Sequence, residues 1–373
     1  MRPLAKIQNS TFTSESVCAG HPDKICDQIS DAILDAVLSQ DPTGRVAIET
    51  VATFNRLIIV GEVTANAKVD FEKVARLQIK RLGYNDPSLN FSHKSPVEVY
   101  IHEQSPEIAA GVKPKGAGDQ GMMFGFACKE TKNLMPMPIY LAHMLAKRID
   151  DVREQGVLDY LRPDGKTQVT VEYKNGRPTG VKPVVIAVPH KEEVELGVVK
   201  EDIYREVVLP ILEKEKLLFK KKDLVVNGTG IWHKGGPAID SGLTGRKVVV
   251  DTYGGYAPVG GGCFSGKDPT KVDRSGAYAA RYIAKNIVAR GLADIVEVRL
   301  AYFIGAKKPI MQEVETFGTE KVSKKALVDF VGKILDTSVA GILTILKLQR
   351  PIYLPTACYG HFGRNEFPWE KVE

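Results

Sequence analysis

QVTVEYKNGRPTGVKPVVIAV, residues 168–188, reads as two strands joined by a tight turn. Gln168–Tyr173 alternates apolar and polar residues, Asn175-Gly176 supplies the left-handed backbone of a two-residue hairpin loop, and Val184–Val188 returns. A hairpin pairs its strands antiparallel. It therefore argues against an all-parallel, doubly wound protein, whose strands need long crossovers.

Working outward, the same order of elements appears three times. An amphipathic helix precedes each hairpin. The first spans about Pro22 to Ser39, with Ile25, Ile29, Ile33 and Val37 at helical spacing. The second spans about Pro138 to Gln155, with Leu141, Leu145, Ile149 and Val152, and the third about Arg274 to Arg290, with Ala280, Ile283, Ala284, Ile287 and Val288. Pro22 suits a first helical position, and Asp273 suits an N-cap. The other hairpins are Arg45–Thr53 with Leu57–Thr64, and Asp294–Phe303 with Gln312–Thr316. A second helix follows each hairpin, near Asp70–Leu82, Lys200–Glu213 and Lys324–Leu335. A closing strand is expected after each, near Val97–Glu103, Leu224–Asn227 and Ile352–Thr356. The fold class is α+β: three repeated domains, each a mixed or antiparallel sheet with helices on one face. Their limits are expected at 11–104, 115–232 and 233–373.

The chain has 373 residues, 43% hydrophobic and 26% charged, with 51 Lys+Arg against 45 Asp+Glu. A net charge of +6 suits an anionic small substrate and includes no basic tail for nucleic acid; Lys220-Lys221-Lys222 reads as a solvated helix end. Cys18, Cys26, Cys128, Cys263 and Cys358 are odd in number and form no CxxC pair, so neither zinc nor a disulfide framework is signalled. The N-terminus lacks an apolar signal core, and no apolar run approaches the ~20 residues of a membrane helix. These features point to a reducing, cytoplasmic setting with no membrane partner.

Glycine-rich loops lie between the repeats: GAGDQG at 116–121, GTGIWHKGGPAIDSGLTGRK at 228–247, and GGGCFSGKDPTKVDRS at 260–275. An expected strand, Lys247–Asp251, separates the last two. In the third loop Gly261, Gly266 and Lys267 fall at P-loop spacing, yet Asp268 stands where a P-loop has Ser or Thr, and Pro269 bars a helix from starting there. The loop either holds phosphate by another design or holds none. Near these three loops stand the cations Lys166, Arg246, Lys247, Lys267 and Lys271, and the acids Asp23, Asp119, Asp164, Asp240, Asp268 and Asp273. Cations with carboxylates suit a polyphosphate and its magnesium. His21 stands at a helix start, where it either donates to a phosphate or caps the helix. Glu49 and Glu62 lie on facing strands of the first hairpin. They either face water or bind a cation or an amino group.

GHPDKICDQISDAILDA (20–36), GAGDQG (116–121), GLTGRKVVVDTYGG (242–255), GGGCFSGKDPTKVDRSGAYAARY (260–282), VETFGTEKV (314–322) and YGHFGR with FPWEK (359–371) closely resemble S-adenosylmethionine synthetase, the methionine adenosyltransferase family, in its bacterial type. The match runs from about Phe12 to Trp369. It implies three pseudo-threefold-related α+β domains, and a homodimer with active sites between subunits, paired again into a homotetramer. It implies synthesis of S-adenosylmethionine from ATP, methionine and water, with tripolyphosphate released and then cleaved to pyrophosphate and phosphate. It further implies two Mg2+ ions and K+.

Residue by residue, the resemblance makes His21 the histidine beside the leaving group, Asp23 and Asp273 the magnesium ligands, and Glu49 the potassium ligand. Glu62 and Gln104 become methionine contacts. Asp119, Asp164 and Lys166 become nucleotide contacts, and Asp240, Arg246, Lys247 and Lys267 complete the ATP and phosphate set. Lys271 and Asp240 border methionine. The catalytic set is thus His21, Lys166, Arg246, Lys247, Lys267 and Lys271. Trp232, where the family commonly has Phe, is expected to stack on adenine, with Ile231 in place of an Arg beside it. Cys263 replaces a usual Ala in the ATP site, and Ala187 replaces a frequent Ser. The 105–115 segment is shorter than the gate common in bacterial members. A thioether has no proton to remove, so this chemistry rests on alignment and on stabilising the leaving anion. A bare tripolyphosphatase of the same fold would have no use for Glu62 and Gln104. A nucleic-acid binder would need a recognition motif that is absent.

Overall fold

The structure, a computed structural model, describes residues 9–103 and 116–373, so Gln104 and the 105–115 segment lie outside the described residues. The Asn-Gly turn is as expected. Asn175 and Gly176 both have left-handed φ, 52° and 72°, and Lys174 pairs with Arg177 across the loop. It joins β6 (Lys166–Lys174) to β7 (Arg177–Ala187). The matching hairpins are β2 (Arg45–Thr53) with β3 (Arg56–Thr64), and β10 (Ile295–Tyr302) with β11 (Met311–Glu315).

Each hairpin sits in a sheet with one strand imported from elsewhere in the chain. β1 (Asn9–Val17) pairs antiparallel with β6, β5 (Gly121–Cys128) with β10, and the two-residue β9 (Gly242–Leu243) with β2. β4 (Val97–His102) and β8 (Leu224–Val226) close their sheets in parallel with β3 and β7. The sheet orders are therefore β9-β2-β3-β4, β1-β6-β7-β8 and β5-β10-β11, three versions of one plan. Since every sheet needs a strand from another segment, the three units are stitched together by backbone hydrogen bonds.

A long helix covers the imported strand and the first hairpin strand of each sheet: α1 (Pro22–Leu38) on β9 and β2, α3 (Met137–Glu154) on β1 and β6, and α7 (Val272–Ala289) on β5 and β10. Ile25, Ile29 and Ile33 of α1 are fully buried, each worth about 1.5–3 kcal/mol of transfer from water. One apolar core runs through the first and third units, and a second fills the middle one. The smaller helices are α2 (Phe71–Arg81), α4 (Leu196–Asp202) continuing through a π-helical turn into α5 (Leu209–Glu215), α6 (Val248–Asp251), α8 (Lys324–Ile334) and α9 (Val339–Ile345).

Three sequence expectations are corrected. The expected strand Lys247–Asp251 is the short helix α6. Its valines look strand-like, but helical winding buries Val250 and brings the Asp251 carboxylate 2.6 Å from Lys24 Nζ. The expected closing strand Ile352–Thr356 is not a strand. Pro351 and Pro355 offer no N–H, and the Tyr353 and Leu354 amides donate to the Asp35 carboxylate at 3.0 and 2.8 Å instead. Asp273 is not the N-cap of α7: Lys271 occupies that position and Asp273 lies in the first turn, where a negative charge still complements the helix dipole.

Candidate active site

The N-terminus of α1 organises a first charged group. His21 caps the helix, its Nδ1 accepting the Asp23 amide at 3.2 Å. With Nδ1 accepting, the neutral ring carries its proton on Nε2. Burial, reinforced by the Lys247 cation, pushes the His21 pKa down to about 3. The Asp23 carboxylate accepts Lys247 Nζ at 2.5 Å and the Leu243 amide at 3.0 Å, with Arg246 Nε at 3.6 Å. Burial alone would raise the Asp23 pKa, but Lys247 and the Leu243 N–H outweigh it and hold it below the usual range. Lys166, exposed at the head of β6, lies near enough to help keep His21 neutral.

A second charged group sits on the 260–275 loop. Lys267 pairs with Asp273, and Lys271 Nζ lies 2.6 Å from the buried Asp268. Burial opposes the charge on Lys267, yet Cys263 and Asp273 beside it push its pKa up; Asp119 adds to this field. The Asp273 carboxylate rests against bare backbone, since a Cβ on Gly262 would come within 2.3 Å of Asp273 Cγ. The two groups touch through their loops, because a Cβ on Gly245 would lie 2.4 Å from Cys263 Cβ.

Asp164 links a third stretch. Its carboxylate accepts the Gly165 and Gly236 amides at 2.7 and 2.8 Å, fixing the 232–240 loop beside β6. Burial pushes its pKa up to about 6, opposed by those two N–H groups and by Lys166; Asp240 is close enough to push the same way as burial. Trp232 is half-buried, its indole N–H donating to the Lys234 carbonyl and its own carbonyl accepting the His190 amide. Ala187 stands opposite Lys166 in the strand register.

Glu49 and Glu62 share one face of the first sheet, the face turned away from α1. Glu62 pairs with Ala47, whose other neighbour is Lys267, so Ala47 stands between Glu62 and the 260–275 loop. Glu62 Oε1 also lies 3.4 Å from His102 Nε2. Glu49 is exposed, and it acts on the Cys263 thiol, whose pKa is raised mainly by burial. Around these acids the face is apolar and half-exposed: Ala47, Val51, Ile58, Val60 and Leu243.

Among the described residues, no cluster of three or more His, Cys, Asp or Glu forms a ready metal cage. Asp23 and Asp273 nevertheless fit magnesium. That ion is usually held by one or two carboxylates plus substrate phosphates and water; each of these carboxylates stands beside a lysine, and that of Asp273 rests against glycine backbone. The structure thus brings together His21, Asp23, Lys166, Arg246 and Lys247, and separately Asp119, Cys263, Lys267 and Asp273, with the two sets in contact through their loops. Sequence reasoning passed over Asp27, Asp31 and Arg274. The signal for the two aspartates was the four-residue spacing of aspartates on α1, at 23, 27, 31 and 35.

Comparison with known proteins agrees in every segment. The chain matches the S-adenosylmethionine synthetase N-terminal domain over residues 9–106, the central domain over 114–232 and the C-terminal domain over 234–371. It is 49% identical over 377 residues to S-adenosylmethionine synthase of Syntrophobacter fumaroxidans, covering 98% of this chain and 97% of the relative.

Proposed function

Since the chain belongs to the S-adenosylmethionine synthetase family and is a methionine adenosyltransferase, we propose that its two abutting charged loops grip the triphosphate of ATP while methionine sulfur attacks C5′. The sulfur lone pair forms the new S–C5′ bond as the C5′–O bond breaks. The electrons leave on tripolyphosphate, which water then cleaves to pyrophosphate and phosphate.

The observation that carries this reading is the contact of the Asp23–Lys247–Arg246 group with the Lys267–Asp273 group at Gly245 and Cys263. Lys247, Arg246 and Lys267 stabilise the anion as it forms, each held in place before reaction, which is where electrostatic catalysis gains most, and the exposed Lys166 adds its charge. Lys247 and Lys267 are paired with carboxylates in the free chain, and they exchange those partners for phosphate oxygens when ATP enters. Neutral His21 donates from Nε2 to the leaving side. Asp119, Asp164, Asp240, Trp232 and Cys263 hold the nucleotide, Glu62 and Gln104 the methionine, and Lys271 the border between them. Asp23 and Asp273 would hold magnesium, which when bound neutralises phosphate charge and polarises the leaving oxygen. Glu49 would hold potassium.

The half-exposed apolar face bearing Glu49 and Glu62 supports a homodimer closed over the site, with a homotetramer as the full assembly. Domain limits at 11–104, 115–232 and 233–373 belong to the same proposal. So does a cytoplasmic location, supported by five unpaired cysteines. Among the described residues, no helix is long and apolar enough to cross a membrane. The test is incubation with ATP, methionine and magnesium, followed by mass spectrometry. A sulfonium product with equal pyrophosphate and phosphate is expected; phosphate release without sulfonium would overturn the reading.

A further inference from the structure

Helix α1 carries aspartate at every fourth position from 23 to 35. Asp23 belongs to the charged site itself. The next two, Asp27 and Asp31, are wholly buried and touch the site only through backbone. Asp27 Oδ1 accepts the Gly245 amide at 2.8 Å, and Asp31 Oδ1 accepts the Gly266 amide at 2.9 Å. The two contacts repeat one device. Gly245 and Gly266 both have left-handed φ, 81° and 80°, and each stands immediately before a cation of the site, Arg246 in one loop and Lys267 in the other. Neither glycine has room for a side chain. A Cβ would come within 2.4 Å of Cys263 Cβ at Gly245, and within 1.9 Å of the Ile48 carbonyl oxygen at Gly266.

Each carboxylate is itself clamped. Asp27 Oδ2 takes Lys24 Nζ at 2.7 Å, and that ammonium also meets Asp251 Oδ1 at 2.6 Å. Asp31 takes the Arg274 guanidinium in a fork, at 2.7 and 2.8 Å, and Arg274 directly follows Asp273 in sequence. Buried ion pairs of this kind are a poor means to stability, since well-packed apolar residues often serve as well. What they supply is a fixed position. Residues four apart on an α-helix are spaced by about 6 Å along its axis, and that spacing cannot drift while the helix is intact.

We infer that Asp27 and Asp31 are positioning residues for the transfer reaction: through Gly245 and Gly266, α1 acts as a ruler that sets the separation of the Arg246–Lys247 and Lys267 cations to fit the triphosphate. The inference rests on the triphosphate reading above and adds to it the element that fixes the spacing. Neither aspartate is assigned a contact with substrate. Each acts through the amide next to a cation, where a small displacement is costly because the transition state tolerates little misplacement of charge.

The test uses the full chain with Asp27→Asn and Asp31→Asn, which keep side-chain size and an oxygen but lose the charge. Turnover, KM for methionine and the Kd of inorganic tripolyphosphate with magnesium are measured, the last by calorimetry with its stoichiometry. The expected result is a fall in kcat and a weakening of tripolyphosphate by at least about tenfold each, at unchanged stoichiometry, while KM for methionine shifts less than about twofold. A merely structural role would lower the stoichiometry and leave Kd unchanged, and that result overturns the inference. Should Asp31→Asn fail to fold, Asp31→Glu keeps a charge for Arg274 but displaces the Gly266 amide, and the same pattern is required of it. A wild-type chain that makes no sulfonium overturns the functional reading. A wild type that makes it, beside folded variants with unaltered kcat and tripolyphosphate Kd, overturns this inference alone.

Discussion

Arg274 and Asp31 meet in a two-point ion pair sealed from solvent, Nη1 to Oδ1 at 2.7 Å and Nη2 to Oδ2 at 2.8 Å. The pair ties α7 of the third unit to α1 of the first, and Arg274 also donates to Thr356 Oγ1 at 3.0 Å. Removing one member strands the other as a buried charge, which costs about 3–5 kcal/mol, whereas replacing both by apolar residues of similar volume costs far less. Arg274→Met alone is therefore expected to lose about that much stability in urea unfolding, and Asp31→Leu with Arg274→Met to recover most of it. A double variant no more stable than the single would show that the pair is not the source.

Lys267 is the next residue to test. Its ammonium pairs with Asp273 in the free chain, and it follows the clamped Gly266. A cation aimed at developing negative charge in a water-poor site is worth two to three orders of magnitude at most and about tenfold at least. Lys267→Ala is expected to lower S-adenosylmethionine formation by at least about tenfold, with kcat carrying the loss. Near-normal turnover in a folded Lys267→Ala chain would remove this lysine from the catalytic set.

The contact between the two loops makes a separate prediction. Gly245 has φ 81° and faces Cys263, so Gly245→Ala meets both backbone strain and a Cβ at 2.4 Å from Cys263 Cβ. Strain of this sort costs on the order of 1–3 kcal/mol, and the loop moves to relieve it, taking Arg246 and Lys247 along. A loss of more than about tenfold in kcat is expected. Adding Cys263→Gly clears the clash but not the φ requirement, so activity should return in part. A double variant no better than Gly245→Ala would place the damage in the backbone angle alone.

Much of this architecture is legible locally, because helices and hairpins are local. The isoleucine row of α1 and the Asn175-Gly176 turn each declare themselves within a few residues. The imported strands do not. Asn9–Val17 and Gly121–Cys128 are called into sheets by partners 149 to 181 residues away, and Gly242–Leu243 is too short to show any alternation. Val248–Val250 misled for a related reason: β-branched residues favour strands only where a sheet edge is offered, and here Lys24 draws Asp251 into a helical turn instead. The candidate site residues were proposed from charges near the glycine-rich loops and from motifs, not from a regular spacing. Asp27 and Asp31 escaped notice because acids at four-residue intervals ordinarily mark a solvated helix face, and α1 is buried nearly all round.

The pH dependence of stability follows from histidines buried without charge. His143 shares a 2.8 Å hydrogen bond with the Ser16 hydroxyl through Nδ1, and the ring is buried. Burial, helped by the Arg364 and Lys24 cations, pushes its pKa down to about 3. The unfolded chain titrates this ring near pH 6.5, so between about 3 and 6.5 the unfolded state binds more protons and stability must rise with pH. The stabilisation is complete above about pH 6.5 and drains away below it, at about 1.4 kcal/mol per pH unit, or about 2 kcal/mol by pH 5. His361, also driven well below its ordinary value, contributes in the same direction. Removing only the first ring isolates its share: His143→Gln is expected to lose about 2 kcal/mol less than the wild type between about pH 7.5 and about pH 5 in urea unfolding. Equal losses in the two chains would mean that His143 is protonated in the folded state or does not titrate in that window.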